Sequence, residues 1–568
     1  MIEQSNKQLN IHGVISLLAK LKEEGIGIRV VNGQLKVNAA KGTLNPQLIN
    51  QLKDKKDEII NFLQKTGDIR VKHFLIQPLE KKEYYRLSPA QMRLYVLKEI
   101  YPEASVYNIS QVVELERAMD RKRLEDTIRK LIARHESLRT SFDVVDEEPV
   151  QRVHDKVDFE IEYYDTGTVN NGQKLQETDN RGRLPKEAEI VNNFIKPFHL
   201  KNAPLLRVGV IEPGQGRQIL MVDMHHIISD EVSHRILYRD FMALYAGKEL
   251  PPLKIQYKDY SQWQNRELKK AKIKKQENYW LNQFKGKIPI INLPIDYPRP
   301  PVYSIEGSSL GFKIGEQETS ALKKIAKDEN CSMFMVLVTL FNILLSKISG
   351  QSDIVVGTPI AGRTHSDLEP IIGIFVNLLA LRNFPEKHKS FIQFLREVKN
   401  RTLSAFENQD FQVDDLIDVL KLKRELYRNP LFNIVISITN LEESPGETPG
   451  NETPTAIDGQ YNYEHNTAKY DLVLLGSILW DRLSFVLVYN TKLFKKETIE
   501  RIATYFKQVV SSVVLDRNKE ISSIAIITDE QRNRLIKRLS EKKGIPFSTN
   551  AKEEEPQESV EMAAEFDY

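Results

Sequence analysis

The sequence predicts a mixed α/β (α+β) fold in two lobes, preceded by a small helix–hairpin–helix unit, and three observations predict it. Short β-branched runs alternate with long amphipathic helical patterns from about residue 84 to about residue 530. A stretch of roughly 450 residues exceeds what one hydrophobic core ordinarily supports, so two lobes are expected. Ahead of it, Asn32-Gly33 joins Ile28–Val31 to Gln34–Val37. Asn-Gly between β-branched runs signals a tight hairpin, because both central residues of such a turn need positive φ. The composition agrees with a soluble globular chain: of 568 residues, 41% are hydrophobic and 28% charged.

Taken in order, Ile11, Val14, Ile15, Leu18 and Leu21 recur at helical spacing until Gly25 stops the run. After the hairpin, a second helix starts at Asn45-Pro46, with Leu48, Ile49, Leu52, Ile59, Ile60 and Leu63 as its apolar stripe. So small a unit has little core and no residues poised for chemistry, which suits an adaptor. Beyond a connector, strands are expected at Gln111–Glu116, Val157–Tyr164, Leu205–Ile211, Ile219–Met224, Asp353–Thr358, Phe432–Thr439, Leu472–Leu479 and Leu483–Tyr489. Amphipathic helices are expected at Arg121–Arg134, Val232–Tyr245, Thr319–Ile348 and Lys496–Leu515. Two polar stretches, 166–186 and 442–466, read as loops.

Charge and cysteine content exclude several classes. Lys plus Arg is 81 against 78 for Asp plus Glu, a net +3, without the basic excess of a dedicated nucleic-acid binder. The single cysteine, Cys331, excludes an internal disulfide framework and a cysteine-rich zinc site, and fits a reducing, cytoplasmic setting. The N-terminus lacks an apolar signal core. The most apolar helical stretch, Met333–Ile348, is interrupted by Thr339, Asn342 and Ser346, so it is expected to be a buried helix and no membrane partner is expected. Residues 552–568 carry seven acidic residues and one lysine, and are expected to be a disordered tail or a short peptide motif that orders on a partner.

The sharpest local feature is Met224-His225-His226-Ile227-Ile228-Ser229-Asp230-Glu231, between a strand and an amphipathic helix. On extended backbone the two imidazoles point to opposite faces, so they cannot share one metal ion, and no metal is expected. A general base fits better: one imidazole faces a cavity while an Asp–Arg pair holds the loop in shape. Ser229 or Asp230 can cap the helix that follows. Gly357 to Thr364 has the spacing of a phosphate-binding loop, but Arg363 stands where the lysine is required, and Pro359 removes an N–H donor. There is no G-x-S-x-G elbow, and Cys331 sits in what reads as an apolar helix, a core position.

Tyr84 to about Arg532 closely resembles a condensation domain of non-ribosomal peptide synthetases. Leu87–Tyr95 (LSPAQMRLY) and Arg134–Phe142 (RHESLRTSF) are similar to that family's first two signatures. Met224–Glu231 corresponds to its His-His-x-x-x-Asp-Gly core. Tyr257–Tyr260, Ile372–Asn377, Asn408–Phe411 and Arg428–Leu431 follow in the family's order. Residues Val356–Arg363 then read as a stretch that such domains commonly carry. The N-terminal unit resembles, in architecture and placement, a tubulysin-type docking domain.

The resemblance implies two chloramphenicol-acetyltransferase-like lobes in a V with a central tunnel. It divides the chain into a docking domain at 1–66, a linker at 67–83, an N-lobe at 84–265, a C-lobe at 266–535 and a tail at 536–568. It implies an acyltransferase that binds no cofactor covalently. Its substrates are phosphopantetheine arms of partner carrier proteins, and the acceptor amine attacks the donor thioester directly. His226 is then the catalytic residue, with His225 beside it. Asp230 shapes the loop by pairing with Arg134 or Arg139, and Asn377 and Ser309 lie near the tunnel. The hairpin residues Arg29, Val30, Val31, Leu35, Lys36 and Val37 are the expected docking surface for an acidic peptide of an upstream acyl or peptidyl carrier partner. The acceptor arrives on a downstream carrier or free.

One residue departs from the family: Glu231 replaces the glycine that ends the core motif. A glutamate suits a helix start. If it faces the tunnel it would raise the basicity of His226 or favour a cationic acceptor; otherwise it points to solvent. The chain carries no adenylation signature and no carrier serine motif. The leading function is amide formation between carrier-bound intermediates of a peptide or hybrid polyketide–peptide assembly line. The alternatives are chain release onto a free amine or alcohol, and an inactive docking scaffold.

Overall fold

The computed structural model describes residues 17, 21, 27–31, 34–38, 46–60, 76–115, 117–166, 185–214, 217–268, 271–423, 425, 428–440, 460–461, 467–478 and 482–527. The Asn32-Gly33 turn, most of the two expected loops and the whole acidic tail lie outside them. In the N-terminal unit, β1 (Gly27–Val31) and β2 (Gln34–Asn38) pair antiparallel, with Val31 opposite Gln34, the register that a two-residue turn requires. Leu35 is half-buried and Val37 exposed. A helix follows over Pro46–Asp54, and Leu17, Leu21, Leu52 and Ile59 are buried.

The remaining strands, in chain order, are β3 (Tyr85–Arg86), β4 (Asn108–Leu115), β5 (Thr140–Val145), β6 (Glu148–Val153), β7 (Glu162–Asp165), β8 (Leu206–Gly214) and β9 (Arg217–His225). They continue with β10 (Gly307–Ile314), β11 (Ile354–Ile360), β12 (Asn377–Asn383), β13 (Ile434–Asn440), β14 (Gln460–Tyr461), β15 (Leu472–Ile478) and β16 (Leu483–Asn490). A five-stranded sheet has the order β14-β4-β9-β8-β7, and a six-stranded sheet the order β10-β16-β15-β13-β11-β12; β3, β6 and β5 form a small third sheet. Both large sheets mix parallel and antiparallel pairs, as the α+β expectation requires.

Two large apolar cores result. The first gathers Leu87, Leu131, Phe142, Val208 and Ile236, and the second Leu337, Phe341, Ile354, Leu395 and Phe506. They do not divide cleanly by position in the chain. Leu368, Ile371, Ile372, Ile374 and Phe375, expected in the second lobe, pack into the first core. This crossing segment is fastened from the first lobe. The Tyr257 ring crowds Gly373, where a Cβ would come within 1.9 Å of a ring carbon, so only glycine fits. The Tyr257 hydroxyl donates to the Ile374 carbonyl and lies 2.7 Å from Ser88 Oγ. Ser88 also caps the helix Pro89–Ile100, in a capping box with Gln91. The Leu87–Tyr95 signature is therefore a helix start joined to the floor of the other lobe. A second crossing is β14, within the stretch expected to be a loop, which adds to the edge of β4.

Three expectations need correction. The single helix expected over Thr319–Ile348 is two helices, Glu316–Asp328 and Met333–Ser349, bent by 110° at the break. Asn330 adopts positive φ there, and Ser332 Oγ caps the second helix by accepting from Met335 N. Cys331 lies in this break rather than inside an apolar helix. The third is β7, which begins at Glu162, so most of the strand expected from Val157 is irregular. No single helix among the described residues is long and apolar enough to cross a membrane; Met335–Leu345 are buried in the second core.

Candidate active site

Strand β9 is held between β4 and β8 until His225, and the chain then makes one 3-10 turn, His226–Ile228, before the helix Glu231–Tyr245. Backbone bonds pin the turn: His226 N donates to the Tyr107 carbonyl at 2.7 Å, and Ser229 N to the His226 carbonyl at 3.2 Å. The two imidazoles diverge. His225 is fully buried, edge-on to Phe198, and its Nδ1 accepts from Ile227 N. Burial, followed by the neighbouring His226, pushes it down to about 3.

His226 is only half-buried. Its Nδ1 lies 2.7 Å from the Ser229 carbonyl oxygen, which can only accept, so Nδ1 carries the proton. In the neutral ring Nε2 then holds a free lone pair, the arrangement a general base needs. Burial first, then the positive charge of Lys469, pushes His226 down to about 4; the Ser229 carbonyl and Asp230 oppose the shift. Behind this turn, Ser229 Oγ lies 3.5 Å from Nε2 of another buried histidine, His234.

Asp230 does not pair with Arg134 or Arg139, as expected, but with Arg363. Arg363 Nη1 lies 2.7 Å from Asp230 Oδ2 and Nη2 lies 3.0 Å from Oδ1, with both side chains buried. Asp230 also accepts from Phe375 N at 3.0 Å and caps the helix by accepting from Ser233 N and Oγ. Burial alone would raise its carboxyl, but the Arg363 guanidinium and these donors hold it below the ordinary range. Geometry explains the missed partner. Helix Arg121–Arg134 meets helix Glu231–Tyr245 at Asp240, about 15 Å along the axis from Asp230. There Arg134 Nε donates to Asp240 Oδ2 at 3.0 Å. Arg139 instead donates to the His154 carbonyl and pairs with Glu136.

The stretch with phosphate-loop spacing has a different purpose. Residues Ile354–Ile360 are β11, with Pro359 opposite Leu378. Gly362 then turns at φ +64, its Cα facing the Phe375 carbonyl so closely that a Cβ would sit 2.0 Å from the oxygen. That turn delivers Arg363 onto the Phe375 ring, 4.1 Å from its centroid, and into Asp230. The arginine that disqualifies the stretch as a nucleotide loop is the one that the loop motif needs.

Other expected site residues are placed differently. Asn377 is buried and donates to the Gln409 and Phe411 carbonyls at 2.9 and 3.0 Å, tying two signatures together. Ser309 is half-buried on β10, opposite Val488. The described partners of neither residue include His226. Glu231 is the first helical residue and reachable by solvent, yet enough protein surrounds it to push its carboxyl up, against the pull of Arg235. Lys469 and Tyr107, beside His226, gave no signal in local pattern, because their approach to it is set by strands far apart in the chain. Among the described residues no group of three or more His, Cys, Asp or Glu side chains could hold a metal.

Comparison with known proteins follows the same outline. The condensation domain family model matches residues 81–536, and that of the TubC N-terminal docking domain residues 14–65. Bacitracin synthase 3 of Bacillus licheniformis is 42% identical over 468 residues, covering 82% of this chain and 7% of that protein. Tyrocidine synthase 3 of Brevibacillus parabrevis is 42% identical over 460 residues, 80% of this chain and 7% of that protein. Bacitracin synthase 2 of Bacillus licheniformis is 37% identical over 530 residues, 93% of this chain. The chain thus spans only a small part of these relatives' length, 20% in the last case. Among solved structures, a holo four-domain nonribosomal peptide synthetase bound to AMP and glycine matches with a TM-score of 0.69 at 22% identity, over 80% of this chain and 34% of that one. The condensation domain of the Monacolin K polyketide synthase matches with a TM-score of 0.66 at 17% identity, over 78% of this chain and 100% of that one. Each shares this chain's fold over the aligned residues.

Removing one partner of a buried ion pair strands the other. Arg363→Ala is expected to cost about 3–5 kcal/mol in urea unfolding. Arg139→Ala, which leaves Asp230 paired, should lose clearly less. The Asp230 contribution is present above about pH 4 and is lost as pH falls through its depressed folded value, so the gap between wild type and Arg363→Ala should close in acid.

Proposed function

The chain belongs to the condensation-domain family, with a TubC-type docking domain at its N-terminal end, and on that premise we propose that it forms an amide between a carrier-bound acyl or peptidyl thioester and an amine. The observation that carries this reading is the His226 ring. Its Nδ1–H is committed to the Ser229 carbonyl, and among the described residues no hydrogen bond engages its Nε2.

In this reading the acceptor nitrogen attacks the donor carbonyl, and a C–N bond forms. The resulting tetrahedral centre carries a negative oxygen and a positive nitrogen. His226 Nε2 takes the proton from that nitrogen, the C–S bond breaks, and the proton passes to the departing thiolate. No covalent enzyme intermediate is required. A base held as low as His226 is poorly suited to deprotonating a resting ammonium, but it can relieve a nitrogen made acidic by attack. Most of the acceleration then comes from holding donor and acceptor together. His225 and Asp230 keep the turn in shape.

The supporting divisions are a docking domain over 1–66, a linker over 67–83, lobes over 84–265 and 266–535, and a tail over 536–568. The antiparallel register of β1 and β2 supports a hairpin that presents Arg29, Val30, Val31, Leu35, Lys36 and Val37 to an acidic peptide from the protein carrying the donor. The donor carrier would be recruited there and the acceptor would come on a second carrier. The acidic 552–568 segment would serve as the matching peptide for a further partner. The largest influences on His226 do not include Glu231, so of its two expected effects we favour the preference for a cationic acceptor.

Incubation with acyl-loaded and aminoacyl-loaded carrier proteins, read by intact-protein mass spectrometry, tests the reaction. Transfer should fall by at least about 100-fold in His226→Ala, with the urea midpoint little changed. Carrier binding without transfer by the wild type would make the chain a scaffold instead. Glu231→Gly should lower the preference for acceptors with a cationic side chain; an unchanged acceptor range removes that role. Lys36→Glu should weaken binding of an acidic C-terminal peptide of the donor protein by about tenfold in calorimetry, roughly 1.4 kcal/mol.

A further inference from the structure

Lys469 is a cation without a carboxylate partner in its described contacts, carried from the second lobe to the catalytic turn of the first. Its pedestal is rigid. Thr467 bridges to Glu306, and Ala468 N donates to the Ile305 carbonyl at 2.8 Å. Two residues on, Asp471 receives both Arg299 terminal nitrogens and the Asn433 amide. From this base the Lys469 ammonium lies 4.7 Å from the centroid of the Tyr107 ring. Tyr107 is also the residue whose carbonyl accepts the His226 backbone N–H. Lys469 and His226 are thus two neighbours of one tyrosine, one from each lobe.

The side chain is reachable by solvent yet closely surrounded, and burial followed by the nearby Arg93 pushes its amine down to about 8. Arg93 itself is engaged, with Asp414 at 3.7 Å and the Val376 carbonyl at 3.4 Å. The Tyr107 and Tyr470 hydroxyls are both raised by burial and stay uncharged at neutral pH. Among the described residues, the charged and titratable groups that act on His226 are therefore Lys469 from the second lobe, with His225, Asp230 and, behind Ser229, His234 from its own loop and helix. Asp230 is paired with Arg363, and Lys469 is the cation that acts most on His226.

We propose that Lys469 is a positioning residue for the condensation, whose ammonium keeps the His226 ring uncharged with Nε2 open and favours negative charge on the donor carbonyl oxygen. The two roles agree in sign. A cation at this place opposes an imidazolium and attracts the oxyanion that forms as the amine attacks. The chemistry rests on the amide-forming reading, but the state of the ring does not.

Two measurements therefore separate them. Histidine-labelled protein, with the His226 signal assigned by loss in His226→Gln, is titrated by NMR as wild type, Lys469→Gln and Lys469→Arg. In Lys469→Gln the His226 titration should move upward, toward the ordinary imidazole range, whereas Lys469→Arg should keep it low. An unmoved His226 titration in Lys469→Gln overturns the proposal, whether or not the wild type transfers acyl groups. In the carrier assay, Lys469→Gln should lower kcat by about tenfold or more with little change in KM for either carrier. Lys469→Arg should restore most of kcat. The charge on Lys469 is present below about pH 8 and is lost above it. The fall in activity on the alkaline side should therefore shift to higher pH in Lys469→Arg. A kcat in Lys469→Gln equal to wild type, or an alkaline limb unmoved by arginine, also overturns the proposal.

Discussion

The Asp230 carboxylate has no exposed surface, and the helix after it and the crossing segment 362–376 both converge on it. It caps the helix Glu231–Tyr245, receives the Arg363 guanidinium, accepts the Phe375 backbone N–H and binds the Ser233 hydroxyl. Ser233 Oγ in turn accepts from the Gly373 N–H at 3.0 Å and lies 2.8 Å from the Gly373 carbonyl, so the crossing segment 362–376 is held at several points along its length. A buried charge is expensive unless every lone pair is used, and here they are used by groups from both lobes. Separating the lobes would expose an unpaired carboxylate and guanidinium together. The turn that carries His226, four residues before Asp230, is therefore positioned by the same interaction that seats one lobe on the other.

What was legible in the sequence follows from how local each determinant is. Helices Arg121–Arg134 and Lys496–Leu515 were bounded correctly because amphipathic spacing and end signals lie within them. The hairpin β5–β6 was missed because its turn places Asp146 and Glu147, not Asn-Gly, at positive φ of 49° and 65°. Strands β10, β12 and β14 were missed because their pairing is decided by neighbours far along the chain, such as Asn490 opposite Gly307. The helix break at 329–332 was hidden because the apolar period resumes across it.

The site shows the same division. The divergence of His225 and His226 was legible because it depends on a turn of a few residues, in which Ser229 supplies both a backbone acceptor and a contact to His234. The partner of Asp230 was not, because it lies 133 residues away, in a stretch that local pattern offered as a failed phosphate loop. Arg134 and Arg139 were nearer in sequence to a known signature, yet the helix geometry carries them to Asp240 and Glu136. An ion pair can be anticipated from composition, whereas the identity of its members is a property of the packed lobes.

The position of His226 constrains what this site can do. A ring held near 4 cannot act as a reservoir for protons at neutral pH. On the proposed reading it therefore receives a proton only when attack has made the acceptor nitrogen acidic, and passes that proton on at once. Such a base needs an open lone pair aimed at the reacting nitrogen and protection from premature protonation. The Ser229 carbonyl provides the first by fixing the tautomer. Burial, with the positive charge of Lys469, provides the second. On the proposed amide-forming reading the remaining demand is geometric: donor and acceptor must meet at Nε2. That depends on the lobes staying in register, and the Asp230–Arg363 pair and the Gly373 floor are built to keep them so.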